Sequence, residues 1–497
     1  AQPLRCRRTK KLHGHGHPQL WLGRTQPGDR LRARISRLQI LEHRGLRRRG
    51  GSTATGDQGY FDGLVRAATA ALHGAVVLLA NISGERTDFI RLNNSDVRQA
   101  GTVDQRTLSV DLIEGQRHAA GRIRLSGDRS VDDARLAALL GQLREQRALV
   151  ADDPFLLYNT EPTDSERIER GSIPEPDAAL AEIRSAGAGR DLVGIYASGD
   201  TFQGFANSLG QRNWFQSSTF NLDWCFYLRA DKAAKNLYAG FDWDDDAFAA
   251  KVDWSARQVK ALERDPISLS PGDYRTYLAP RAMEELIQLW SYYGAFGLRA
   301  RETKQTPLLK MLVEGATLSP LVNISEDTAH GVAPNFQSAG FLRPDVVPLI
   351  VAGEYADTLV SPRSAQEYGV PTNGAVGHEY PQSVAIAPGT IPTDTVGQAL
   401  GTGLFVGNLW YTNFSDQAAC RTTGMTRFAT FWMDDGEIVA PVDVLRFDDT
   451  AYHLLGDRLE GLTDTAEVLL DTSTYEERST DSARLPGALV GAMRFVL

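Results

Sequence analysis

Along residues 60–73, apolar side chains fall at Phe61, Leu64, Val65, Ala68 and Leu72, the three-and-four spacing of an amphipathic helix, and Gly74 supplies a stop. The pattern then changes to alternation. Residues 87–92, 105–114 and 118–125 alternate sides or concentrate branched residues, which predicts strands, and residues 114–117 fit a hairpin connection. A second helix is predicted over 131–149, with Asp132 and Asp133 placed against the positive end of its dipole. Residues 58–150 therefore read as a small α/β domain, a sheet with covering helices. Residues 151–176, rich in Asp, Glu, Pro, Ser and Thr, read as a linker.

From 177 to 497 the chain reads as a second, larger domain. Short strands are predicted at 191–198, 201–208, 212–222, 224–230 and 235–240, with Gly and Asn in most gaps. Two helices follow, over 246–262 and 280–294. The second has Pro280 in its first turn and Met283, Leu286, Ile287 and Trp290 on one side. Strands resume to the C-terminus, interrupted only by helical 393–404 and a short helix near 452–458. The predicted class is α+β, with mostly antiparallel or mixed sheets and few helices, and not a doubly wound sheet.

A chain of 497 residues, 42% hydrophobic and 23% charged, is long enough for two or three domains. The longest clean apolar stretch, 75–80, is far below the roughly 18 residues that cross a bilayer, so no membrane contact is expected. Three cysteines (Cys6, Cys225, Cys420) without paired spacing fit a reducing cytoplasm. The net charge of −9 is unevenly placed: residues 1–50 hold twelve Arg and two Lys against Asp29 and Glu42, a net +12 that leaves −21 on the other 447. A nucleic-acid arm would need more than one aromatic, Trp21, and a recognition helix. A transit peptide would be amphipathic and Ser-rich. Residues 1–57 therefore read as a basic extension, disordered or not native. The alternating His13, His15 and His17, separated by glycine, make a poor structural metal site.

Three groups of residues, in this order and spacing, resemble the TldD/PmbA family across roughly residues 58–497. They are Ile82-Ser-Gly-Glu-Arg86 with Phe89-Ile-Arg-Leu-Asn-Asn94; Gly204-Phe-Ala-Asn-Ser-Leu-Gly210; and Gly403-Leu-Phe-Val406 through Phe431-Trp-Met-Asp-Asp-Gly-Glu-Ile438 and Pro441-Val442. The resemblance implies a bacterial or archaeal cytosolic protein in which a catalytic subunit and a metal-free sister pair, enclose a channel and cut unfolded peptides. Catalytic members carry a His-Glu-x-x-x-His motif and a downstream Cys. Three N or S ligands leave zinc one position for a water whose pKa falls to about 7, and the Glu takes its proton. Here the motif positions fall on Ser291 and Phe296 for the two His and Tyr292 for the Glu, and the Cys position falls near Tyr475. No His or Cys lies between Cys225 and His330.

The resemblance thus implies a PmbA/TldE-like, non-catalytic member with no cofactor of its own, zinc being expected in a TldD-like sister subunit. It also implies an extended peptide as substrate. The family's peptide-facing segment maps onto Asn373, His378, Glu379 and Tyr380, which read either as a solvated loop or as the lining of a peptide groove. His378-Glu379 begins like a zincin motif, but Pro381 would break the helix that motif needs. The acid run 242–246 reads as a helix N-terminus in place of a calcium loop, and no Gly-x-Ser-x-Gly elbow occurs. Two alternatives stay open: an active metallopeptidase or hydrolase with a relocated site, and a stand-alone peptide-binding homodimer.

Overall fold

The computed structural model describes residues 54–229 and 232–496. The basic segment expected at 1–57 lies outside them except for its last four residues, which open the helix α1 (Ala54–Ala70). The apolar face read from the spacing is the buried one: Phe61, Leu64, Val65 and Ala68 share a core with Leu136, Leu140 and Leu143 of α2 (Arg129–Leu149). Asp128 caps α2 by accepting from the Ser130 amide, and the buried Asp132 accepts from the Ser126 and Gly127 amides and from the Tyr60 hydroxyl at 2.6 Å.

These helices cover a sheet of β1 (Val77–Asn93), β2 (Asp96–Glu114), β3 (Arg117–Arg124), β4 (Ser165–Glu169), β5 (Asp191–Asn207), β6 (Arg212–Arg229) and β7 (Lys232–Gly240). Its order is β3-β2-β1-β5-β6-β4, with β7 also on β6. Strands from both sides of 151–176 therefore share one sheet, β1 pairing antiparallel with β5, and β4 inside that stretch pairs parallel with β6. Residues 191–208, expected as two strands, form one. Gly199 makes this possible: at φ +132 its backbone lies so close to β1 that a Cβ would sit 2.2 Å from the Arg86 carbonyl oxygen. A second apolar cluster on this sheet is covered by α3 (Pro176–Ala186) and α4 (Asp245–Ala261), through Ile183, Phe248 and Val252.

The rest of the chain supplies β8 (Gly272–Leu278), β9 (Ile324–Asp327), β10 (Val346–Val351), β11 (Glu354–Tyr355), β12 (Ser383–Ile386), β13 (Gly403–Asp416), β14 (Arg421–Asp434) and β15 (Glu437–Pro441). It ends with β16 (Arg446–Thr450), β17 (Leu459–Leu462), β18 (Glu467–Leu470), β19 (Ser482–Leu485) and β20 (Ala488–Phe495). A second sheet runs β11-β10-β9-β12-β19-β18, and a third β13-β8-β20-β16-β14-β15, whose β13–β14 pairing closes it into a ring. With antiparallel pairs dominant and β4–β6, β12–β19 and β8–β13 parallel, the class is the expected α+β.

The longest helix of this part, α5 (Pro280–Tyr292), buries Ala282, Met283, Leu286, Ile287 and Trp290 against the ring, and the Trp290 indole donates to Thr422 Oγ1 at 3.0 Å. Its apolar face is the one the spacing predicts. Three short helices interrupt a stretch expected to hold only strands: α6 (Leu298–Glu302), α7 (Leu309–Val313) and α8 (Pro362–Tyr368). At five to seven residues they end before a hydrophobic period can repeat. The helix expected at 393–404 is corrected as well. It shrinks to a turn at Thr393–Thr395 and α9 (Val396–Leu400), because the chain reverses at Gly401 (φ +61) and β13 begins at Gly403. There a Cβ would meet the Arg275 carbonyl oxygen at 2.4 Å. The short helix expected near 452–458 is a helical turn at His453–Asp457. Among the described residues no helix is long and apolar enough to cross a membrane.

Candidate functional site

Opposite its apolar face, α5 carries Arg281, Glu284, Glu285, Gln288, Ser291 and Tyr292, spaced so that they form one stripe. The stripe is largely sunk into the molecule. Glu284 is 4% exposed, pairs with Arg281 and accepts from Gln288 Nε2 at 3.2 Å. Burial pushes its carboxyl up to about 7, the neighbouring Arg281 guanidinium opposing the shift. Glu285 is raised too, again chiefly by burial. Facing the stripe are Asp223 on β6, bridged to Lys235 of β7 at 3.2 Å, and the pair Lys251 of α4 with Glu467 of β18. Asn221, on the same face of β6, donates from Nδ2 to the Asp471 carbonyl at 3.1 Å.

Asp471 opens a loop, 471–481, which its amide closes by donating to the Asp481 carbonyl at 3.1 Å. The loop crosses the first sheet and is pinned to it. Gln105 Nε2 donates to the Glu476 carbonyl at 2.5 Å, and Gln203 Nε2 donates to Thr480 Oγ1 at 3.2 Å. The Arg478 guanidinium donates to the Gly199 and Thr219 carbonyls, each at 3.2 Å, and to Thr219 Oγ1 at 2.6 Å. Burial pulls that guanidinium down to about 10, against the pull of Glu85.

At the loop's other end Asp481 accepts from Gln382 Nε2 at 3.2 Å and from the Tyr380 hydroxyl. Behind it lies the pair Arg343–Glu326, whose side chains are 4% and 2% exposed. Glu326 also accepts from the Gln382 and Ser383 amides at 3.2 and 3.0 Å. Burial lifts the Asp481 carboxyl from its ordinary 3.8 to about 6, opposed by the Gln382 hydrogen bond and reinforced by Asp471 and Glu326.

The raised carboxyl at Asp481 has a testable sign. The folded chain keeps this proton where the unfolded chain has lost it, so the stabilisation is complete below about pH 4 and is lost as pH rises to about 6. Asp481→Asn, which stays neutral throughout, is expected to flatten that part of the stability profile. Urea midpoints measured at several pH values between 4 and 7 check this; parallel profiles for the two proteins would contradict it.

The residues singled out from the sequence scatter. Ser291 is 7% exposed and Tyr292 62% exposed, one step of about 100° apart on the helix. Phe296 lies beyond the end of α5, 1% exposed, in the main hydrophobic core. Tyr475 is at the exposed tip of the pinned loop. A neutral hydroxyl, two phenols and a phenyl ring do not fit a tetrahedral zinc site. Among the described residues no group of three or more His, Cys, Asp or Glu is arranged to hold a metal.

Of the peptide-groove candidates, Asn373 bridges backbone, donating to the Thr358 carbonyl at 2.7 Å and accepting from the Val360 amide at 2.8 Å. Glu379 is 3% exposed, with φ +54. Its carboxylate accepts from the Arg299 amide and from the Ser361 amide and hydroxyl, bracing the starts of α6 and α8. His378 is exposed and stacks 6.4 Å from Tyr380. Tyr380 alone of the four bonds to the loop. The acidic members of the site, Glu284, Glu285, Asp471 and Asp481, were not singled out. The polar stripe on α5 was their signal, but such a stripe reads as a solvated face when its cover comes from distant strands.

Residues 271–496, which contain α5, Tyr380 and the 471–481 loop, match the family described as PmbA/TldA metallopeptidase C-terminal domain. Three solved structures share the fold. TldE from Thermococcus kodakarensis aligns with TM-score 0.68 and 14% identity over 88% of this chain and 99% of that one. A Thermotoga maritima protein described as a candidate modulator of a DNA gyrase aligns with TM-score 0.67 and 13% identity over 88% and 100%. A Bacteroides thetaiotaomicron protein described as a candidate modulator of DNA gyrase aligns with TM-score 0.67 and 15% identity over 90% and 99%. No curated protein sequence matches the chain.

Proposed function

The chain belongs to the TldD/PmbA family, and on that footing we propose that it is a non-catalytic subunit of the PmbA/TldE kind. It pairs in the cytoplasm with a zinc-bearing TldD-like sister and helps hold an extended, unfolded peptide for that sister to cut. The observation that carries this reading is the fate of the three motif positions, with Ser291 buried, Tyr292 turned to solvent and Phe296 in the core. Side chains so placed and so composed cannot share one cation. The peptide-holding half of the reading draws on the α5 stripe, half-sunk between the first sheet and the 471–481 loop. Extended peptides bind in such clefts through their backbone and are selected by side-chain pockets.

Co-expression with a sister chain bearing His-Glu-x-x-x-His tests it. The two are expected to co-purify with zinc equimolar to the sister, and cleavage of an unfolded, casein-type substrate should vanish when the sister's motif Glu is replaced. Chelator-sensitive cleavage by this chain alone, with one zinc per chain, would favour a relocated site and overturn the proposal. A stable homodimer that never engages the sister would overturn it in favour of a stand-alone binding protein.

A further inference from the structure

We infer that the groove along α5 takes a basic side chain, lysine or arginine, of the bound peptide; this rests on the peptide-holding role proposed above. The groove's own charges do not cancel. Arg281 pairs with Glu284, Lys235 with Asp223 and Lys251 with Glu467. Among the described residues Glu285 has no ion pair, nor has Asp471, whose Oδ1 accepts from the Ser473 amide at 2.9 Å, so three cations face five carboxylates.

The uncharged groups show the same imbalance. Asn221 is 8% exposed, its amide nitrogen donates one hydrogen bond, to the Asp471 carbonyl, and its Oδ1 has no hydrogen-bond partner among the described residues. Two residues along the same face of β6, Asp223 Oδ1 is likewise buried and unpartnered. Unfilled acceptors beside unneutralised carboxylates call for a ligand that donates several hydrogen bonds and accepts none, which describes an ammonium or a guanidinium. A bare divalent cation is the poorer match, because no three carboxylates among the described residues converge to hold a metal. A larger cation, with its donors spread over several ångströms, suits the dispersed oxygens. Access is open: Asp223, Lys235, Lys251 and Glu467 are each about a quarter exposed at their side chains.

The test uses the complex with a sister made inactive at its motif Glu, and end-capped fluorescent peptides identical but for one central residue: lysine, arginine, norleucine or glutamate. By anisotropy at low salt, lysine and arginine peptides are expected to bind about tenfold more tightly than norleucine, with the advantage shrinking as salt rises. Glu285→Gln combined with Asp471→Asn should bring lysine and norleucine to within about twofold, through loss of lysine affinity. Equal binding of lysine and norleucine by the unaltered complex sinks the inference and leaves the peptide-holding role standing. A lysine preference that survives the double substitution also sinks it, placing the recognition elsewhere. Absence of binding by every peptide removes the holding role and the inference together.

Discussion

Replacing Arg343 with methionine is expected to cost about 3–5 kcal/mol of folding stability, the usual penalty for stranding one member of a buried ion pair. The pair is deeply buried, Arg343 at 4% and Glu326 at 2% side-chain exposure, and it sits where three pieces of chain meet. Arg343 also donates to the Pro334 carbonyl and to Gln382 Oε1, each at 3.0 Å. Methionine fills much of the volume but leaves Glu326 with two backbone amides and no cation. Burial already pushes this carboxyl upward with Arg343 in place; without it, taking up a proton is the cheaper course. The cost should therefore be larger at pH 8 than at pH 5. Urea denaturation at both values measures it. Arg343→Met together with Glu326→Gln should recover most of the loss, since neither partner then remains charged. A single-variant cost below about 1 kcal/mol would show that solvent reaches the pair. The site should respond as well, because Gln382 links this pair to Asp481: loss of Arg343 is expected to speed proteolytic nicking of the 471–481 loop.

The parts legible in the sequence are those whose cause is local. The spacing of Met283, Leu286, Ile287 and Trp290 finds α5 and its buried face, and that of Phe61, Leu64, Val65 and Ala68 finds the buried face of α1. Alternation finds the antiparallel strands and hence the fold class. What stays hidden is decided by distant chain. The Gln105 side chain holds the Glu476 carbonyl across 371 positions, and Arg478 holds Thr219 across 259. Nothing near residue 475 announces that its loop will be clamped to the first sheet. The same holds for Glu379, whose sequence neighbours suggest a loop residue beside a peptide. Its role as a brace depends on amides at 299 and 361. The polar stripe of α5 was visible, but its conversion from a wet face into a sunken, acid-rich groove needed β6, β7 and the 471–481 loop, none of which adjoins it in sequence.

Grafting the missing motif, as Ser291→His, Tyr292→Glu and Phe296→His together, is expected to yield a protein that binds no zinc and is less stable by about 3 kcal/mol or more. The stability loss comes mostly from position 296. The Phe296 ring is 1% exposed in the main core, and its carbonyl accepts from the Leu359 amide at 2.8 Å, so neither side chain nor backbone can turn outward cheaply. An imidazole there loses apolar contacts and buries two nitrogens. Metal binding fails for a separate geometric reason: a ligand at 291 points inward, one at 296 is trapped in the core, and Tyr475 supplies no thiolate. Calorimetric titration with zinc, beside a denaturant melt of the triple variant, separates the two effects. If the graft takes up one zinc per chain at micromolar affinity without losing stability, the three positions do converge and this chain is a lapsed peptidase only a few substitutions from activity.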